Sequence, residues 1–403
     1  MEIGPILRSM RRNKPRYVLI AAEVALTLAI VANCVALILD ARAEMSRESG
    51  FDDEHILWAR TTNFGEEIAG AEDGAVRDLL ARDLEALRSL PGVRNASATY
   101  FRPWQGGGSS TEVLVEGREM EKVRTQYYTV DPAIYETLGI EITEGRGMVP
   151  EDLVIEDDAT RYNVTISRGL ADLLFPDGGA VGRVLASTDG ENQYPVVGVF
   201  ERFYNPYGWP IHEQAVFFPI PATSASGTGF LVRAETGRTQ QIAGVLEARL
   251  LEVEAERNVV LGTIPEVRAR LQAGERLIVV VLNLLMALLV IVTALGIIGL
   301  TAFSVAERRR TIGTRRALGA TQADVLRYFL VENWLVVTLG AVLGVGLAVA
   351  LNVGLLEVVE GARLEAPIVA GGVLLLWAIG LGAAFGPALR GARVEPAIAT
   401  RNV

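Results

Sequence analysis

Four stretches of this 403-residue chain would dissolve in hydrocarbon, and they leave it few architectures to choose from. Tyr17 to Leu39, Leu277 to Phe303, Phe329 to Leu356 and Ile368 to Leu389 are each mostly apolar over about 20 or more residues. That is the length at which a helix rising ~1.5 Å per residue crosses ~30 Å of hydrocarbon. The 50% hydrophobic content and mean hydropathy of +0.30 agree that part of the chain lives in a bilayer. Four transmembrane helices are therefore expected.

Charge then orients them. Residues 1–16 hold Arg8, Arg11, Arg12, Lys14 and Arg16 against one acid, Glu2, so the positive-inside rule places this cytoplasmic N-terminus on the inner side. Two crossings later, residues 304–328 carry many arginines; four crossings later the tail, 390–403, carries Arg390, Arg393 and Arg401. The short outer loop 357–367 has three acids to one arginine. All four segments agree with spans at 17–39, 277–303, 329–356 and 368–389.

Between the first two spans lies an outer domain, residues 40–276, with 39 Asp and Glu against 23 Lys and Arg. The formal net charge of -10 thus hides a basic inside and an acidic outside, and no nucleic-acid surface is implied. The apolar run of the first span is too long for a cleaved secretory signal, and Asn33 before Cys34 fits a lipoprotein signal poorly. Cys34 is the sole cysteine, so the outer domain has no intrachain disulfide and rests on its own core.

That domain reads as mixed helix and strand. Val76, Leu79, Leu80, Leu84, Leu87 and Leu90 keep helical spacing before Pro91-Gly92, and Ile242, Val245, Leu246, Leu250 and Val253 repeat the pattern before "NVVLG". Between them "TEVLVEG", "YNVTIS", "YPVVGVF" and "QAVFFPI" are short β-prone runs separated by turn residues. The expected fold class is four transmembrane α-helices with a large α+β domain inserted between helices 1 and 2.

Catalytic chemistry finds no foothold. His55 and His212 lack metal-ligand spacing, Glu156, Asp157 and Asp158 lack the calcium-loop pattern, and G-x-S-x-G is absent. "GGGSS" at 106–110 has no GK[ST] after it, and the only lysines are Lys14 and Lys122, so no phosphate loop for ATP exists. No catalytic residue, metal ligand or cofactor site is expected. Polar residues within the spans, Glu23, Asn283, Glu332, Asn333 and Asn352, read as structural partners, with Glu23 and Glu332 near enough to the inner surface to snorkel or to meet an arginine of the basic loop. Gly340 with Gly344 and Gly382 with Gly386 make two G-x-x-x-G pairs suited to close helix packing within or between chains.

The basic loop is more than a topology signal. The second span is expected to run on as a charged helix from Glu307 to Leu318, to stop at Gly319, and to restart under a cap at Thr321 with Asp324 in the capping-box position. Charge alone would need arginines but not Gly313, Ala317, Leu318, Gly319 and Ala320 in this order, which favours a protein-docking turn.

These residues resemble the signature of FtsX-like permeases of ABC transporters, particularly the MacB-like branch, E-R-x-R-E-I-G-x-R-R-A-L-G-A. Glu307, Arg308, Arg310, Ile312, Gly313, Arg315, Arg316, Ala317, Leu318, Gly319 and Ala320 match it, and Thr311 stands where an acid is usual. "PILRSMRRNKPRYVLIAAEVALTLA" is similar to the family's N-terminal anchor, "LPGV", "YETLGIEITEGRGMVPED", "ISRGLADLLFPDGGAVGRVL" and "VVGVF" to its periplasmic core domain, and "GPALRGARVEPAIATR" to its closing segment.

The resemblance implies a bacterial inner-membrane permease subunit with both termini cytoplasmic and the large domain periplasmic. A separate cytoplasmic ATPase subunit, which binds the ATP, would dock on the turn. Its closure would rearrange the periplasmic domain, driving export or extrusion of a periplasmic substrate. Two chains per complex are expected, as a homodimer or with a paralogous permease, in contact with membrane lipids and with a periplasmic adaptor as a further partner. The alternatives are an FtsX-type regulator of a cell-wall hydrolase, or a membrane-anchored receptor without an ATPase. The residues do not name the substrate.

Overall fold

The computed structural model describes residues 14–64, 73–104, 109–115, 122–154, 159–204, 206, 211–221, 227–356 and 363–394. Residues 1–13, 357–362 and 395–403 of the expected N-terminus, outer loop and tail lie outside these, as do Glu156 to Asp158 and the glycines at 106–108.

Along the chain the elements are α1 (Lys14–Met45), β1 (Ile56–Asn63), α2 (Asp73–Arg88), β2 (Val93–Thr99), β3 (Ser110–Val115), β4 (Val123–Thr129), α3 (Ile134–Leu138), β5 (Ile142–Gly145), β6 (Val164–Ser167), α4 (Arg168–Leu174) and β7 (Val184–Ser187). Then come β8 (Gln193–Phe200), β9 (Ala215–Phe218), β10 (Gly229–Ala234), α5 (Thr239–Val253), β11 (Arg257–Thr263), α6 (Ile264–Leu271), α7 (Ala273–Glu307), α8 (Arg309–Ala317), α9 (Gln322–Leu356) and α10 (Ala366–Ala392). They divide into two compact units, residues 1–46 with 275–403, and residues 47–274.

In the first unit α1, α7, α9 and α10 are each long and apolar enough to cross a membrane. Each apolar run sits inside a longer helix, because polar residues at its ends continue the backbone hydrogen bonding past the oily stretch. Tyr17, Val24, Leu28, Val336, Val337, Leu376 and Ala384 form the core shared by α1, α9 and α10, with Ile297 joining from α7. Small residues set the distance between helices. A Cβ on Gly340 would stand 2.8 Å from the Ala21 carbonyl oxygen, and one on Gly344 2.9 Å from that of Ala25, so α1 and α9 meet backbone to backbone. Gly382 and Gly386 of α10 face open space within this chain; Gly380, against Val337, makes the close approach instead.

Helix α7 is attached differently. It buries only Thr293, Ile297, Thr301 and Ser304, one residue per turn along a narrow seam, while Leu284, Leu288, Ile291 and Leu295 stay exposed. Hydroxyls tie that seam: Thr293 to Thr27 of α1 at 2.8 Å, and Thr301 to Asn333 of α9 at 3.3 Å. Asn33 and Asn352 join α1 to α9 near their other ends, 3.1 Å apart, while Asn283 bonds to Val279 of its own helix. Glu23 has no polar partner among the described residues and lies against Gly296.

The second unit holds two sheets. Strands β11-β1-β10-β2 form an antiparallel sheet. One face, Leu57, Ala59, Phe230 and Val232, is covered by Leu87 of α2 and Ile242, Leu246 and Leu250 of α5. The larger sheet runs β5-β8-β6-β9-β4-β3-β7, and β7 also pairs with β8, closing six strands into a ring with β5 outside it. Val113, Val164, Ile166, Leu185, Val196 and Val216 belong to its core. The opposite face of the first sheet gives Ile56 and Leu231 to an aromatic core with Phe200, Phe203, Phe217 and Tyr128. This is the α+β insert between the first and second spans.

Candidate coupling site

The turn between α7 and α9 is built from its sequence in three steps. First, α7 does not run on to Leu318 as the sequence suggests. It ends at Glu307, and Arg308, at φ −99° and ψ 11°, leaves the helix before α8 begins. The break turns the Arg308 guanidinium inward, where Nη1 donates to Glu332 Oε2 and to the Tyr328 hydroxyl, and Nη2 to the Tyr17 hydroxyl, all at 3.1 Å. Tyr17 in turn donates to Glu332 Oε1 at 2.6 Å. One arginine thereby ties α1 and α9 to the start of α8. With Glu332 only 4% exposed, removing either charge strands the other in a dry setting.

Second, α8 closes with Gly319 at φ 101°, the left-handed region that a side chain disfavours. The Ala320 N–H bonds to the Arg315 carbonyl at 3.1 Å and the Gly319 N–H to Arg316 at 3.1 Å, so the helix's last carbonyls are satisfied before the chain reverses. Third, Thr321 and Asp324 form the capping pair of α9, each side chain accepting the other's backbone N–H, at 3.0 and 3.2 Å.

The signature residues sort into two sets. Ile312 and Gly313 are buried, and Ile312 packs with Val325 and Phe329 of α9 and Ala388 and Ala392 of α10. Arg316 reaches the Val394 carbonyl at 2.7 Å with its Nε buried and without a partner, so it fastens α8 to the chain beyond α10. With Arg308, these residues hold α8 onto α1, α9 and α10. Arg310, Arg315, Ala317, Leu318 and Gly319 are exposed, Ala320 half-buried, and Glu307 pairs with Arg16 at 2.8 Å on the surface. Leu318 is 84% exposed, the most exposed large apolar side chain among the described residues. A cleft of about 420 Å³ opens on this turn, lined by Thr311, Ile312, Arg315, Asp324, Arg327 and Tyr328. Tyr17, Tyr328 and Val394 escape a sequence reading because their role depends on which helices become neighbours.

Among the described residues no cluster of three metal-ligating side chains occurs. The arrangement is a short helix locked to three long ones, offering a basic exposed face with one bare leucine.

Two family models match the sequence. The FtsX-like permease C-terminal model covers residues 283–396, and the MacB-like periplasmic core domain model covers residues 19–249. An uncharacterized ABC transporter permease, YvrN, of Bacillus subtilis is 25% identical, the match covering 98% of this chain and 97% of that one. The macrolide export ATP-binding/permease protein MacB 1/2 of Paracoccus denitrificans is also 25% identical over 97% of this chain, which spans only 57% of its length. The periplasmic region of MacB from Actinobacillus actinomycetemcomitans superposes loosely, at 11% identity and a TM-score of 0.36, over 57% of this chain and 98% of that one. With one model matching more than half of the chain and the other the turn and its flanking helices, the protein belongs to the MacB-like, FtsX-like family of ABC transporter permeases.

Proposed function

We propose that the chain is the membrane subunit through which a separate cytoplasmic ATP-hydrolysing subunit moves a periplasmic domain, driving export or extrusion of a substrate from that side of the membrane. One observation carries this reading: α8 is clamped to α1, α9 and α10 by Arg308, Ile312 and Arg316, while Arg310, Arg315 and Leu318 are left bare. A push on the bare face is passed to three spans at once, because the contacts behind it are packed and bonded. The arginine bias of residues 1–16, 304–328 and 390–403 supports an inner-membrane unit with both termini cytoplasmic. Two chains per complex complete the reading, since the apolar side of α7 and Gly382 and Gly386 have no partner within this chain among the described residues.

Co-expression with a cognate nucleotide-binding subunit tests it. The two should co-purify, and hydrolysis should reside in that subunit. A cysteine placed at Arg315 should be labelled only from the cytoplasm and one at Glu121 only from outside. Labelling at Arg315 from outside intact cells, or no association with any nucleotide-binding subunit, overturns the proposal.

A further inference from the structure

The outer unit carries acids in excess, and several of its arginines are paired with one. Arg146 pairs with Asp152, Arg168 with Glu144, Arg233 with Asp52, Arg257 with Asp83 and Arg268 with Asp53. Arg60, Arg102 and Arg270 are not. None has an acidic partner or a hydrogen bond among the described residues, although they lie close enough together to repel. Burial first, and then the charges of Arg270 and Arg60, pull the pKa of Arg102 below its ordinary value.

Their setting is built, not incidental. Trp58 and Arg60 share the face of β1 opposite to the one covered by α2 and α5, and Trp58 lies across Gly262 of β11. The Arg102 guanidinium stacks 4.2 Å above the Trp58 ring. Two donors there are buried and unsatisfied, Trp58 Nε1 and Arg102 Nε, each a cost of about 1–3 kcal/mol unless something accepts from it. The backbone that presents Arg102 is held under strain. Two residues on, Trp104 sits at φ 60°, costly for a bulky residue, and is pinned by Asp53 at 2.8 Å and by Arg268 stacked at 4.5 Å. Arg268 thus anchors α6.

Trp58, Arg60, Thr99, Phe101 and Arg102 line a depression of about 120 Å³. At ~30 Å³ of liquid volume per water this holds about four waters, well below the ~300 Å³ at which sites for drug-sized molecules begin. The space therefore suits one small group. Two guanidiniums line it with no acid among the lining residues, and they call for more than a single carboxylate, which one arginine fork already satisfies; a tetrahedral oxyanion presents oxygens in several directions at once.

We infer that Trp58, Arg60 and Arg102, with the charge of Arg270 nearby, form a binding site for a phosphate group, carried either by a soluble phosphorylated compound or by a lipid headgroup. Isothermal titration of the full-length protein in neutral detergent, with inorganic phosphate, glycerol phosphate and short-chain phosphatidic acid as separate probes at constant ionic strength, tests the site. Saturable binding that falls at least tenfold in Arg102→Ala and in Arg102→Lys, and not in Arg124→Ala, supports it. Arg102→Lys retains the charge and most of the stem over Trp58, so it should lose the fork's contacts with an unchanged melting temperature. Binding of the soluble probes identifies a soluble source, and binding of phosphatidic acid alone a lipid one. No saturable binding of any probe, or binding indifferent to both Arg102 variants, overturns the assignment.

Discussion

Leu318→Asp separates docking from folding more cleanly than any change to an arginine. At 84% exposure the leucine contributes little to the free chain, and an aspartate there is solvated at once, so the melting temperature should not move. If a partner covers this face, full burial of the leucine is worth ~1.5–3 kcal/mol. At ~1.4 kcal/mol per tenfold, its loss weakens association by about 10- to 150-fold before the cost of burying a carboxylate is added. Arg316→Ala is the contrasting change. It removes a charge-assisted bond of 2.7 Å to the Val394 carbonyl, worth ~1.5–3 kcal/mol, and should lower stability as well as coupling. Binding of the purified nucleotide-binding subunit to permease in nanodiscs, with its ATP turnover, reads the first effect, and thermal unfolding reads the second. Wild-type affinity and turnover in Leu318→Asp would refute the argument that the bare side of α8 is where the partner sits.

Two further outcomes follow from the packing and from one ion pair. Gly344→Leu places a Cβ 2.9 Å from the Ala25 carbonyl oxygen and should cost ~1–3 kcal/mol as α1 and α9 are forced apart; Gly382→Leu meets open space and should leave the monomer's melting temperature alone, so equal effects would contradict the packing. In the outer unit the Arg146 hydrogen bond pulls the Asp152 carboxyl down to about 2 from 3.8, so its stabilising contribution is complete above pH 3.8 and is lost as pH falls through about 2. Asp152→Asn should lower the melting temperature at pH 7 and weaken its dependence on pH between 4 and 2; an unchanged slope across that window would remove Asp152 from the account.

What the sequence discloses and what it hides divide along the range of the interaction. The four spans follow from hydropathy summed over twenty residues, and the Gly319 stop and the Thr321–Asp324 cap are decided within a few positions of themselves. The arginines are another matter. Side by side in sequence, Arg315 and Arg316 look alike, yet one lies exposed near the Tyr328 ring and the other is bonded to Val394, 78 residues away. The break at Arg308 is equally hidden, because nothing local opposes a continuous helix; the pull comes from Glu332 and Tyr17 on other helices. Strand runs such as "YNVTIS" and "QAVFFPI" can be picked out by composition, but not the pairing of β7 with β8 that closes the ring, which depends on partners chosen across the whole domain. The phosphate site leaves no motif at all: Trp58, Arg60, Arg102 and Arg270 come from three separate stretches, and the sequence supplies no reason to group them.

The seam that holds α7 has a mechanical meaning. Where α1, α9 and α10 interlock through glycine contacts and bulky side chains, α7 lies along the bundle on a narrow seam of two hydroxyl contacts and the buried Ile297, with the exposed Arg16–Glu307 ion pair at its C-terminal end. A hydrogen bond between membrane helices is worth on average ~0.6 kcal/mol, so the two hydroxyl contacts are close to thermal energy in scale. Yet α7 itself is an unbroken helix of 35 residues, about 50 Å long at ~1.5 Å per residue, and stiff along its axis. A rod rigid lengthwise and held sideways along so narrow a seam would, if pushed, move along its axis as one piece from Glu307 to Ala273.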